Sequence, residues 1–523
     1  MLAREKYNQL VTERRQFLDI AVDCSKLTLP YLIQDDTSSR PTHEKLHVPW
    51  QSVGSKCVVT LAAKLMLATL PPQTSFFKLQ VRDDKLGEEL PPETRSELDL
   101  SFAKMERMIM DYIASSNDRV VIHQALKHLI VGGNALLFMG KDGMKNYPLN
   151  RYVVNRDGNG NVLEIVTKEL INKDALGFDI PVEIPNTGID ETANAHTDEV
   201  EVYTCVKLEN GRWVWHQEVQ DKIIPNSRSS APKNASPWFV LTFNSVDGEQ
   251  YGRGRVEEFL GDLKSLEGLS QALVEGAAAA AKVIFLVSPS STTKPATIAK
   301  AGNGAIVQGR AEDVQVVQVG KTADFSTAAQ MAMGIEKRLL EAFLVMNVRN
   351  AERVTAEEVR LTQLELEQSL GGIFSVITTQ FLLPYLNRNL LVLTRNNTIP
   401  KLPKDIVRPT IVAGVNALGR GQDREALTMF VGTIAQTLGP EALMKYINPV
   451  EAIKRLAAAQ GIDVLNLVKT EQQLQQEQQQ AMEQQQQQTL LEQAGQLANS
   501  KMADAENMQQ MEAGSQQQQP PME

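Results

Sequence analysis

Cysteine is scarce: only Cys24, Cys57 and Cys205 occur in 523 residues, at no short-range pairing or metal-type spacing. That pattern argues against a disulfide framework and suits free thiols in a reducing compartment. Basic charge is also short, with 53 Lys and Arg against 63 Asp and Glu, for a formal net charge of −10. A high-affinity nucleic-acid reader usually carries a basic stripe, so this balance leaves room only for weak or local contact with DNA. Long apolar runs are missing too. The best membrane candidate, Ala277 to Val287, is too short and contains Lys282. The opening MLAREKYNQL is polar and has no apolar signal core, so the expectation is a soluble protein that is not secreted. An apolar fraction of 42% is ordinary for a globular chain and permits a sizeable core.

Catalytic motifs are thin. His43-Glu44-Lys45-Leu46-His47 matches H-E-x-x-H, which in a stable helix sets two imidazoles one turn apart on zinc with a glutamate as base. Here Pro41 and Pro49 bracket two turns at most, and no third ligand follows closely, so a solvated loop is expected and the zinc metallohydrolase is the minor alternative. Gly132-Gly133 through Gly140-Lys141 is too long for a P-loop, and Asp142 stands where a magnesium-binding hydroxyl belongs. Gly252 and Gly254 in YGRGRVEEF lack a third glycine and read as a turn entering a helix. Asp157, Asn159 and Asn161 have EF-hand-like spacing, but Val162 and Lys168 replace the required glycine and glutamate. His123 and His128, five apart, do not share a helix face and read as structural. No catalytic residue, metal ligand or cofactor is assigned, and the chain is not expected to be an enzyme.

Periodicity predicts an α+β, mainly helical fold. Helical spacing dominates to about residue 140, with Leu98, Phe102, Met105, Ile109, Tyr112 and Ile113 on one stripe. From about 150 to 245 the runs turn β-like, and Tyr152 to Val154 with Val162 to Thr167 form a hairpin around Asp157-Gly158-Asn159-Gly160. A helix of about 30 residues is predicted over 253–282, carrying Val256, Phe259, Leu260, Leu263, Leu266, Leu269 and Leu273. It ends in Ala277 to Ala281, either a place of close helix approach or simply an alanine-rich end. Strands and turns follow over 283–322, then a second helix over 326–345. Thr355 and Glu358 form a capping box for a longer helix running towards 392, with a bend near Gly371-Gly372 and Pro384. A further helical region is predicted over 405–470. The last fifty or so residues are rich in glutamine and read as disorder or as a helical tail held by neighbouring chains.

One loop suits contact with DNA. Asn347, Arg349, Asn350 and Arg353 cluster between two predicted helices; the alternative is that the arginines pair with Glu352 or with another chain. Such contacts should be few, because many strong phosphate contacts would hold a duplex still.

Eight segments in order carry a resemblance to a known family. They are VPWQSVGSK with AAKLMLATLPPQT (48–74), MERMIMDYI (105–113), ALKHLIVGGNALLF (125–138), DGEQYGRGRVEEFLGDLKSLEGL (247–269), ADFSTA (323–328), ERVTAEEVR (352–360), LGGIFS (370–375) and ALGRGQDREAL (417–427). In these the chain resembles the portal, or head-to-tail connector, proteins of autographivirus-type podophages, from about residue 7 to 470. The H-E-x-x-H segment and the glutamine-rich end match no part of that pattern.

The resemblance implies one subunit of a usually dodecameric ring at a capsid vertex, with a central channel through which double-stranded DNA is packaged and ejected. Residues 1–250 would be the wing, 251–282 and 324–345 stem helices, 283–323 the clip and 346–354 the tunnel loop. Residues 355–398 would be a long kinked helix joining wing and crown, 399–470 the crown, and 471–523 the tail. Arg349, Asn350 and Arg353 would face the channel, while Lys294, Lys300 and Asn303 would lie on the docking face of the clip. The implied partners are other copies of the chain, DNA, a terminase, major capsid and scaffolding proteins, then tail adaptor and ejected core proteins, with no membrane. Assembly would occur in the host bacterial cytoplasm and the mature location would be the virion. A tail adaptor or internal scaffold protein is the rival, which predicts no large closed ring.

Overall fold

The structure, a computed structural model, describes residues 2–35, 46–71, 75–81, 92–172, 199–280, 284–289, 294–302, 306, 308, 310, 312, 314–317, 322–345, 372–400, 407–411 and 429–437. Two compact units divide the chain at residues 417 and 418; of the second, only the helical stretch 429–437 is described. The fold is mixed α+β and mainly helical.

Helix α1 (Ala3–Leu27) buries Tyr7, Leu10, Arg14, Phe17, Leu18, Ala21 and Cys24, the three-and-four spacing of one helix face. Its first turn is held by Glu218, whose carboxylate accepts the Ala3 amide at 2.7 Å, a negative group at the positive end of the helix. Helix α2 (Val53–Thr69) begins against the end of α1, where a Cβ on Gly54 would lie 2.5 Å from the Leu27 carbonyl. Strand β1 (Phe77–Val81) and helix α3 (Pro92–Ser115) follow, and Phe102, Met105, Ile109 and Ile113 of the predicted stripe are buried. Helix α4 (Asp118–Gly132) runs through the core, burying Ile122, Leu126, Leu129 and Ile130, and closes at Gly133 with φ 71°. The left-handed turn at Gly133 admits no side chain: a Cβ would sit 2.5 Å from the Gly252 carbonyl and 2.6 Å from the Gly254 amide.

Strands β2 (Asn134–Met139) and β3 (Met144–Tyr147) pair next. Strands β4 (Tyr152–Arg156), β5 (Val162–Asn172), β6 (Glu199–Glu209), β7 (Arg212–Val219) and β8 (Lys222–Ile223) then build an antiparallel sheet in that order, with β9 (Ser229–Pro232) also on β7. The β4–β5 hairpin forms where predicted. Its turn uses the Asp157 carboxylate locally: Oδ1 accepts the amides of Asn159 and Asn161 at 2.9 and 2.7 Å, and Oδ2 the Asn161 side chain at 2.9 Å. Those bonds, from Asn161 above all, hold the Asp157 carboxyl below its usual range. Strand β10 (Trp238–Thr242) pairs with β2 to complete the three-stranded sheet β10-β2-β3.

Helices α5 (Arg255–Glu258) and α6 (Leu260–Ala280) replace the single predicted helix. The break is at Phe259 (φ −113°, ψ 15°), whose amide bonds to Val256, three residues back and not four, and whose ring packs between Arg255 and Phe343. Beyond lie β11 (Ile284–Val287), α7 (Pro295–Lys300), β12 (Val314–Val317) and α8 (Thr322–Ala342). The sequence reading missed α7, which starts on Pro295, a residue whose fixed φ suits the first helical position. A π-helical turn, Thr378–Leu382, lies just before Pro384, one of the two places where a bend is predicted, and leads into α9 (Leu383–Arg395). Strand β13 (Val407–Ile411) pairs with β1 and corrects the helical expectation there. Pro409, opposite Leu79, disfavours a helix and is tolerated because a two-stranded sheet has only edge strands. Thr355 and Glu358 lie outside the described residues, as does the glutamine-rich tail.

Candidate channel helices and docking surface

Helices α6 and α8 run antiparallel, since Asp262 at the start of α6 meets Arg338 near the end of α8 at 2.9 Å, and Gly276 near the end of α6 meets Phe325 near the start of α8. Each spans about 31 Å at 1.5 Å per residue. At the inner end, Leu263, Leu266, Ile335, Leu339 and Phe343 are buried in the main core. Polar contacts fix that end further. Lys264 pairs with Asp23 at 3.2 Å, and Glu267 accepts the Trp50 amide at 2.8 Å.

Past Ser270 on α6, and before Ile335 on α8, none of the described side chains is buried. At Gly276 the two helices are in contact through the Phe325 ring, into which any Cβ there would run. Ala277, Ala278 and Ala279 are exposed instead, so within this chain the close approach is made by the glycine, not by the alanine run. Val274, Met331 and Met333 also face solvent.

Strands β11 and β12 pair between the outer ends, with Ile284 opposite Val317 and Val287 opposite Val314. Lys294 caps the start of α7 and Lys300 is its last residue; both side chains are exposed. Asn303, the third residue expected on this face, lies outside the described residues.

The end of α8 draws three donors, two from α2 and one from α5. Lys64 of α2 donates to the Leu344 carbonyl, Arg255 to Ala342 at 3.3 Å, and the Cys57 thiol to Leu339 at 3.8 Å. A cation at a helix C-terminus is favoured by the dipole and by the orphan carbonyls. Leu344 itself adopts a left-handed φ of 58°, and the Val345 amide bonds back to Leu340 at 2.7 Å, the closing pattern of a Schellman turn. Burial lowers the Lys64 ammonium from its ordinary pKa. Sequence reasoning missed Lys64, for it shows in the chain only as one of two lysines in an apolar helix. Arg349, Asn350 and Arg353, which follow this turn, lie outside the described residues.

Other sequence candidates fall elsewhere. His43 and Glu44 are outside the described residues, and His47 sits 3.7 Å from Glu267. Among the described residues no group of three or more His, Cys, Asp or Glu could hold a metal ion, and no helix is long and apolar enough to cross a membrane. Cys24, Cys57 and Cys205 are free and buried, and burial pushes each thiol up to about 12, leaving little thiolate at neutral pH. His128 is buried in the core, which lowers its imidazole to about 4 and keeps it neutral.

Residues 2–467 match a family model described as bacteriophage head to tail connecting protein. The portal proteins of Enterobacteria phage T3 and Escherichia phage T7 are each 38% identical, covering 90% and 91% of this chain and 89% of each relative. The portal protein of Pseudomonas phage phiKMV is 29% identical, covering 87% of this chain and 90% of the relative. Chains from a native gene transfer agent virion and from the neck of an empty gene transfer agent particle align at TM-scores of 0.33 and 0.34, with 11% and 10% identity. Each alignment covers 79% of this chain and 90% of the other, a likeness too low to inform the fold.

Proposed function

Because the chain belongs to the bacteriophage head-to-tail connecting family, and is a structural, non-enzymatic portal protein of the virion's head–tail junction, we propose that it works as a closed ring of identical copies around a DNA channel. A dodecamer is the expected ring. In this reading residues 1–250 form the wing, α6 and α8 the stem, the segment between them the clip, 346–354 the tunnel loop, 355–398 the helix to the crown, and 399–470 the crown.

What carries the reading is the outer half of the α6–α8 pair. Val274, Met331 and Met333 there are exposed on helices whose inner ends are firmly built into the core. A cyclic assembly sets the same surface of every copy against its neighbour and so covers such residues without a different partner. The exposed Ala277 to Ala279 would let backbones of adjacent copies approach closely.

The ring does no bond chemistry in this mechanism. A terminase docks on the clip, with Lys294, Lys300 and Asn303 on the docking face, and drives double-stranded DNA inward; tail adaptor proteins later take its place. Major capsid and scaffolding proteins surround the wing, and core proteins leave through the same channel. Arg349, Asn350 and Arg353 touch phosphates transiently, and the net charge of −10 keeps DNA free to slide. Native mass spectrometry of the full chain tests the ring: a large closed oligomer with an axial hole in single-particle images is expected, and a monomer across salt conditions would overturn it and favour an adaptor or scaffold. Alanine at both Arg349 and Arg353 should slow packaging in rings of normal size; normal packaging would remove their role.

A further inference from the structure

Most arginines at the junction of body and helix pair rest on a carboxylate: Arg253 on Glu249 and Glu257, Arg255 on Glu258, Arg338 on Asp262. Helix α9 is different. Tyr385, Leu386 and Leu393 fix one face of it in the core, and the Tyr385 hydroxyl donates to the buried Asp118 at 2.5 Å. Arg388 and Arg395 stand two turns apart, about 10 Å along one side of the helix.

Arg388 is half-buried, and its Nε is cut off from solvent with no acceptor. Among the described residues, the charged or titratable groups that reach it are Arg395, a like charge, and Tyr112, with no carboxylate. Arg395 is exposed, followed by the exposed, uncharged Asn396, Asn397 and Thr398. A guanidinium taken partly out of water beside a second one is costly unless an anion completes the site, and two forks on one face suit oxyanions held by paired hydrogen bonds.

We propose that Arg388 and Arg395 form one half of a contact between neighbouring copies of this chain, the other half being a carboxylate of the second copy. The inference rests on the ring reading and adds to it a charged contact and its residues. Two observations favour a carboxylate of another copy over a DNA phosphate. Arg388 is half-buried with its Nε turned inward, so the guanidinium is held in place and only its outer edge is open, which suits a fixed partner and not a duplex that slides past. The chain also carries 63 acidic against 53 basic residues, so copies repel overall, and adjoining faces need opposite charges set locally.

The test uses the full chain, as wild type, Arg388→Gln, Arg395→Gln and Arg395→Glu. Ring dissociation is followed by native mass spectrometry and sedimentation from about 0.1 M to about 1 M salt, over which the screening length falls from roughly 10 Å to roughly 3 Å. Thermal melts of each variant control for folding, and the exposed Arg395 variants keep the test decisive if Arg388→Gln melts early. Wild-type rings should weaken with salt, Arg395→Glu should raise the dissociation concentration by about tenfold or more, and the Gln variants should lose most of the salt dependence. Rings of unchanged stability and salt response would overturn this contact while leaving the ring intact. Unchanged rings that no longer retain packaged DNA would also overturn it, in favour of a phosphate. A wild-type chain that never closes would sink the contact and the ring reading together.

Discussion

Leu263, Leu266, Ile335 and Leu339 at the inner end of the α6–α8 pair are buried, whereas Val274, Met331 and Met333 at the outer end are 52%, 58% and 65% exposed. The same two helices carry both sets, with similar residue types and continuous backbone. The difference is what stands beside them: at the inner end α1, α2, α5 and the chain around Trp50, at the outer end, among the described residues, the other helix and the β11–β12 pair. Fully burying one such side chain is worth roughly 1.5–3 kcal/mol. The inner end has gained that on folding; the outer end has not, and in the proposed ring a neighbouring copy would supply it.

The largest break in this contrast is expected at the glycine crossing that leads into α5 and α6. In Gly133→Ala the new Cβ meets backbone of Gly252 and Gly254 at 2.5 and 2.6 Å, in a left-handed turn, so a loss of about 4 kcal/mol is expected in urea unfolding of the purified chain.

Acid should act on the body through His128. His128 has its folded pKa depressed to about 4 from an ordinary 6.5, so the unfolded chain takes up the proton first. Its neutral form stabilises the fold fully above about 6.5; that contribution is lost as pH falls from there towards 4, to a total of about 3 kcal/mol. His128→Leu should flatten that part of the stability profile, as read by unfolding at a series of pH values.

The converse change lies at the outer end. Val274→Asn with Met331→Asn should leave the unfolding free energy of the single chain within about 0.5 kcal/mol but cost the ring about 2 kcal/mol per contact, read as dissociation at higher protein concentration. Equal losses in both readouts would erase the distinction between the two ends. Least is expected from Arg338→Ala. Its pair with Asp262 is more than half exposed on the arginine side, and about 0.5 kcal/mol should go in a thermal melt.

Much of this architecture was legible in the sequence because it is written in local periodicity: the stripe of α3, the β4–β5 hairpin around Asp157, the positions of α6 and α8, and the IFLV and VQVV strands. What escaped was decided by distant neighbours. Phe259 breaks a helix because its ring finds Phe343, 84 positions on; β13 is a strand because β1 offers it an edge. Lys64 and Arg388 carry no motif, since the carbonyl that Lys64 binds lies 280 positions away and the burial of Arg388 without a carboxylate shows only in the folded chain. Of the candidate site, Lys294 and Lys300 sit exposed on α7, a helix that the sequence reading took for strands and turns.

Strand β1 has one more consequence. Its partner β13 is made roughly 330 residues later, so at about 5–20 residues per second a nascent chain waits on the order of half a minute before the two can pair. For that time Phe77 and Leu79 lack the strand that later lies beside them, and the free backbone of β1 is a sticky edge on the ribosome. Five residues, with Lys78 and Gln80 alternating with Phe77, Leu79 and Val81, is about as little edge as can still be zipped afterwards, so this pairing belongs at the end of the folding order, when synthesis of unit 1 is nearly done.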